Sequence, residues 1–146
     1  MNKQEIIDVL HQKTTEKIQG LEKLIDETRA SNNDTKSSMG DKYETGREML
    51  QQQINNLQIQ LNEVMKQQAF LKSIVAKSSQ KVEKGAVVST ERGVFFISVS
   101  LGEITLNDYK IMCISPESPL AKAMNGKSVN DIFTLNNVNH TIINIE

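Results

Sequence analysis

A chain of 146 residues, 38% hydrophobic and 24% charged, is long enough for one ordinary domain, or for one small domain with a simple extension, and too short for two full cores. Its formal net charge of −1, close to zero in each half, argues against broad electrostatic capture of nucleic acid. No run approaches the roughly 18 apolar residues of a membrane span, Met1 to Leu10 has no apolar leader segment, and the lone Cys113 cannot form an internal disulfide, so a soluble cytoplasmic protein is expected.

Aromatics make up only 4% of the chain, and two Pro and seven Gly interrupt it, a balance that suits long helices. From Lys3 to about Arg29, apolar residues recur at helical spacing through Ile7, Leu10, Ile18, Leu21, Leu24 and Ile25. His11, Thr14 and Gly20 break that stripe. The all-polar run Ser31 to Ser38, rich in turn formers, ends the first helix.

A second helix follows, in which Leu50, Ile54, Leu57, Leu61, Val64, Gln68, Leu71 and Val75 alternate steps of four and three, the mark of a heptad seam. Its one polar member is Gln68. The short connection folds it back on the first helix as an antiparallel α-hairpin, whose second arm at 1.5 Å per residue would run roughly 50 Å and protrude as a stalk. Residues 1–80 are thus expected to form a coiled-coil hairpin with its tip at about 31–46.

Beyond residue 80 the periodicity changes to short β-type runs: Ala86 to Thr90, Val94 to Ser100, Tyr109 to Ser115, Ile132 to Leu135 and Val138 to Ile145. Glu91-Arg92-Gly93 and Asn136-Asn137 are natural hairpin turns. Ser118 to Asn125 reads as a short helix, with Ser118 as N-cap, Pro119 at the first helical position and Gly126 just past the end. The fold class is therefore α+β, with an antiparallel sheet and one short helix in a domain at 81–146.

At the start of the second helix Asp41 and Glu44 stand three residues apart, spaced to share one helix face. Ser38 and Asp41 also fit a capping box, and Glu44 would favour the positive end of the helix. Spacing alone leaves capping and chemistry both open.

The segment Ile114-Ser115-Pro116-Glu117-Ser118-Pro119-Leu120-Ala121-Lys122-Ala123-Met124-Asn125-Gly126-Lys127-Ser128-Val129-Asn130-Asp131 resembles the signature of the bacterial Gre transcript-cleavage factors, GreA and GreB, in which Ser-Pro, a short helix, Gly-Lys and a Val two residues before Asp recur. Asn139 to Ile145 resembles their last strand, and Gly40-Asp41-Lys42-Tyr43-Glu44 resembles their hairpin tip. Ala121 and Asn130 stand where the family usually has Gly, and Glu44-Thr45-Gly46-Arg47-Glu48 departs from its tip, as in a divergent member.

The resemblance implies an N-terminal coiled-coil hairpin followed by an FKBP-like domain. It also implies an accessory factor, not itself an enzyme, that inserts the hairpin tip into the secondary channel of RNA polymerase. There Asp41 and Glu44 would help to hold a second Mg²⁺ and promote cleavage of backtracked RNA. Hard oxygen ligands suit that ion, which keeps several waters and needs only one or two added carboxylates. Implied partners are the polymerase, the RNA 3′ end and DNA within the complex, with the chain itself a monomer.

Lys42, Tyr43 and Arg47 flank the acids and are candidates for contact with RNA or polymerase, although Tyr43 also falls on the extrapolated seam and Arg47 can pair with Glu44 or Asp34. Two alternatives remain open: a secondary-channel regulator that does not cleave, and a coiled-coil interaction module unrelated to transcription. Cys113 with His11 or His140 carries no nucleophile signature, few aromatics follow residue 80 for a prolyl isomerase site, and no glycine-rich nucleotide motif is present.

Overall fold

The computed structural model describes residues 2–36 and 44–146, without the side chains of 33–36, 44 and 45. Two helices open the chain, α1 (Lys3–Lys36) and α2 (Glu44–Lys72), followed by strands β1 (Val87–Thr90), β2 (Gly93–Ile97), β3 (Gly102–Leu106) and β4 (Tyr109–Ile114), the short helix α3 (Pro119–Met124), and strands β5 (Ile132–Leu135) and β6 (Val138–Ile145). The chain divides into two compact units, one of His11–Ala69 and one of Met1–Leu10 with Phe70–Glu146.

In the helical unit Ile25, Ile54 and Leu57 are buried together with Leu21 and Leu61 against them. Gln68 meets Thr14 and Thr15 further along. As the number rises on α1 it falls on α2, so the helices run antiparallel. The expected seam is realised from Leu50 to Leu71, but Val75 lies past the end of α2 and is 68% exposed. The 29 residues of α2 span about 44 Å at 1.5 Å per residue, slightly less than expected.

Thr14 and Gln68 each looked like a defect in an apolar stripe. Here they complete one another. Gln68 Nε2 donates to Thr14 Oγ1 at 3.2 Å and to Thr15 Oγ1 at 2.9 Å, while the Thr14 hydroxyl donates to the His11 carbonyl at 2.8 Å. Thr14 is fully buried, so its hydroxyl needs these partners. Gly20 has no such role, since a Cβ placed on it would meet nothing within 4 Å. Gly20→Ala is therefore expected to raise stability by up to about 1 kcal/mol, read as a higher urea midpoint, because alanine removes the backbone entropy of glycine from a helix interior.

In the second unit the six strands form one sheet in the order β3-β4-β2-β1-β6-β5. All neighbours are antiparallel except β2 and β4, which pair in parallel with Val94 opposite Ile111 and Ile97 opposite Ile114. That pair exists because β3, a strand not expected from the sequence, takes the sheet edge and turns back through Asn107-Asp108 into β4. Both turn residues have positive φ, 51° and 67°, as a two-residue hairpin requires. Asn136 and Asn137 do the same between β5 and β6, at 52° and 63°.

Alternating side chains along the central strands face two cores. Val87, Phe96, Ile111 and Cys113 are buried with Ile6, Ile7 and Leu10 from the start of α1, with Leu71 from the end of α2 and with Ile74 just beyond it. Val88, Ile97, Ile142 and Ile145 turn to the other face and are buried with Ala121 and Met124 of α3. A sheet covered on both faces reads as apolar runs instead of strict alternation. The burial of Ile6, Ile7, Leu10, Leu71 and Ile74 in the first core explains why the boundary falls after Ala69 and not near residue 80, and why Met1–Leu10 belongs with the sheet.

Candidate functional site

The candidate residues are distributed around the start of α2. Asp41, Lys42 and Tyr43 lie outside the described residues, as does the proposed Ser38 cap. Glu44 is the first residue of α2, and Arg47, half-buried, follows three residues later in the same turn. In sequence, then, the Asp41–Glu44 pair falls where the seven residues after α1 meet α2. Such a position suits carboxylates, because the unsatisfied N–H groups of a helix start carry partial positive charge.

Next to it on α2 is an open cleft of about 590 Å³ bounded by Gly46, Met49, Leu50, Gln52, Gln53 and Asn56. Met49 is 67% exposed there. Among the described residues its lining has amide and apolar groups and no ionisable side chain. Among the described residues no group of three or more His, Cys, Asp or Glu side chains could hold a metal ion.

The C-terminal signature residues have local structural roles. Ser118 Oγ accepts from Ala121 N at 3.2 Å and donates to the Ser115 carbonyl at 2.7 Å, capping α3 with Pro119 in its first turn. Gly126, at φ 78°, donates its N–H to Val82 O. Asp131 Oδ2 accepts from Ser128 N at 2.8 Å, and Asn130 N donates to Ile142 O. The motif is thus a set of caps and turns that fastens α3 and the approach to β5.

Asn130 has φ 76°, which accounts for an Asn where the Gre pattern has Gly: both reach the left-handed region cheaply. We expect Asn130→Gly to leave the melting temperature nearly unchanged and Asn130→Val to lower stability by about 1–2 kcal/mol. Equal melting temperatures for both variants would contradict that account.

The structure places Cys113 and His140 in different cores. Cys113 is buried on β4 in the core that includes Phe96, whereas His140 stacks on Phe133 of the opposite core with ring centroids 4.8 Å apart. Glu91, at the β1–β2 turn, accepts from Thr141 N at 2.7 Å, and that hydrogen bond holds its carboxyl below the ordinary range. This is a turn-fastening contact. Among the described residues no helix is long and apolar enough to cross a membrane.

The residue that sequence reasoning missed is Lys3, which is buried in the sheet-bearing unit. Its signal was present: it stands four residues before Ile7, in step with the apolar stripe of α1.

No protein-family model and no curated protein matches the chain. Among solved structures it is similar to the transcription factor Gfh1 at 16% identity and a TM-score of 0.38, covering 92% of each chain. It is also similar to the GreA factor homolog 1 (Gfh1) protein of Thermus thermophilus, at 17% identity and TM-score 0.39 over 93% of this chain and 94% of that one. Thermus aquaticus Gfh1 gives 18% identity and TM-score 0.36 over 92% of each chain. At these scores the likenesses carry no functional argument.

Proposed function

We propose that the chain is a Gre-like transcription elongation factor that binds RNA polymerase, inserts the segment between α1 and α2 into the secondary channel and promotes cleavage of backtracked RNA. The observation that carries this reading is positional. α1 ends at Lys36 and α2 begins at Glu44, so in sequence the Gly40-Asp41-x-x-Glu44 pattern lies between two antiparallel helices, which supports reading it as a tip.

Asp41 and Glu44 are hard carboxylate donors, a chemistry that fits Mg²⁺ when polymerase supplies the remaining ligands. When bound, a second Mg²⁺ stabilises the attacking and leaving oxygens of an in-line displacement. The chain's part is to deliver two charges on a helical arm and to hold them beside the scissile phosphate. Two acids alone make a poor metal site, so the isolated protein is inert in this reading and acts as an accessory factor. Lys42, Tyr43 and Arg47 are placed by sequence to contact RNA or polymerase.

The experiment is a stalled, backtracked elongation complex to which the protein is added. The expected product is a short 3′ RNA fragment together with a shortened transcript that can be extended. Binding to polymerase without that fragment would remove the cleavage role. The altered tip, Glu44-Thr45-Gly46-Arg47-Glu48, favours this as the second reading: a secondary-channel regulator that changes transcription without cleavage.

A further inference from the structure

The chain contains one Asn-Gly pair, Asn125-Gly126, which follows directly on the end of α3. Of all residues that can follow an asparagine, glycine leaves its backbone nitrogen least shielded, because it carries no Cβ. That nitrogen can attack the side-chain amide of the asparagine. Gly126 N bonds to Asn125 Cγ, the Cγ–Nδ2 bond breaks, and the N–H proton passes through solvent to the departing nitrogen, which leaves as ammonia. A five-membered succinimide remains. Water then opens the ring at either carbonyl, giving aspartate or isoaspartate. Asn125 is exposed, so solvent reaches it freely.

The folded chain holds this reaction back. Gly126 N–H donates to the Val82 carbonyl at 2.8 Å, and Val82 N–H donates across the same pairing to the Lys127 carbonyl at 2.9 Å, so the attacking nitrogen is engaged and fixed. Ring closure also requires Asn125 Cβ and Gly126 N to eclipse about the Cα–C bond, whereas at ψ 133° they stand well apart. Rotation toward the eclipsed form would carry Gly126 N away from Val82. Val82 in turn is 1% exposed and buried with Ala121 and Met124 of α3, which anchors the pairing to a core.

We propose that Asn125 is a site of spontaneous deamidation controlled by the Val82–Gly126 pairing, converting only when the corner after α3 opens. Asn107 and Asn136 are exposed to the same solvent, but Asp108 and Asn137 follow them, and those side chains crowd the nitrogen that would attack. Conversion at Asn125 is one-way. Either product adds a negative charge at the end of α3 where the helix dipole is already negative, and isoaspartate also inserts a methylene into the main chain before Gly126. The corner then no longer closes as before, so each converted molecule records an opening. The site stands independently of the transcription reading.

The test incubates the full chain at one pH and temperature, native and unfolded in guanidinium chloride, and follows amide-to-acid conversion by peptide mass spectrometry, with isoaspartate detected by enzymatic methylation. In the unfolded chain Asn125 should convert ahead of Asn107 and Asn136. In the native chain it should convert at least about tenfold more slowly, the factor for a local opening that costs about 1.4 kcal/mol. Val82→Ala, which keeps both backbone bonds but removes buried carbon, should speed native conversion by about tenfold. Hydrogen exchange of the Gly126 N–H across a low-denaturant series should rise in step with conversion. Equal rates in native and unfolded chains overturn the proposal, as does an unfolded chain in which Asn125 converts no faster than Asn136. An unchanged native rate in a folded Val82→Ala protein also overturns it. Should Val82→Ala not fold, the wild-type exchange series decides: native conversion that does not follow Gly126 exchange rejects the control by Val82.

Discussion

In a backtracked elongation complex, replacing Asp41 by Asn and Glu44 by Gln together is expected to lower 3′ RNA cleavage by about two orders of magnitude, comparable to removing one preorganised charge-stabilising group. The swap keeps size and hydrogen-bonding capacity while deleting two negative charges, so shape-dependent entry into the polymerase should be retained. Polymerase binding, measured in the same samples, should therefore stay at the wild-type level. The two single substitutions should each cost nearly as much as the pair, because groups that act as a unit are strongly non-additive. Capping makes a different forecast for the same residues. Losing a cap contact costs about 0.5–2 kcal/mol, and Asn and Gln keep a hydrogen-bonding side chain at both positions, so helicity by circular dichroism would move little while cleavage collapses. Wild-type cleavage by the double variant would discard the catalytic reading.

The heptad seam was legible because Ile54, Leu57, Leu61 and Val64 obey a local period that a helix imposes on any partner. Its polar members were visible singly, but the Thr14–Gln68 pairing joins residues 54 positions apart, and no local period encodes that. Strand β3 was missed for a similar reason. Ile104 and Leu106 alternate, yet Gly102 and Glu103 before them and Asn107-Asp108 after them left only a short apolar signal. Once β3 is overlooked, the parallel β2–β4 pairing cannot be anticipated, since it depends on β3 occupying the edge. The candidate acids were legible only as a motif, because any helix start attracts carboxylates. Lys3 shows the opposite failure: its spacing matched the buried stripe, and its charge made it look like surface.

Phe96→Ala is expected to destabilise the protein by about 3–5 kcal/mol, the range for deleting a fully buried aromatic ring. Phe96 is 0% exposed on β2, a central strand, where it is buried with Ile6, Ile7 and Leu10 of α1, with Leu71 and Ile74, and with Val87 and Ile111 of the sheet. Those neighbours come from four separate stretches of chain, so the cavity left behind cannot close by the shift of any one of them. Against a typical total of about 5–15 kcal/mol, the loss should appear as a large fall in the urea midpoint with an unchanged slope. Ile59→Ala, at a position 61% exposed on α2, is the matched comparison and should stay within about 0.5 kcal/mol. The two proposed roles then separate cleanly in one assay. For Phe96→Ala any loss of cleavage should track the unfolded fraction and be recovered on cooling to where the variant is folded. For Asp41→Asn with Glu44→Gln the loss should persist at full folding, because in the proposed reading the ring maintains the core while the carboxylates act on the transcript.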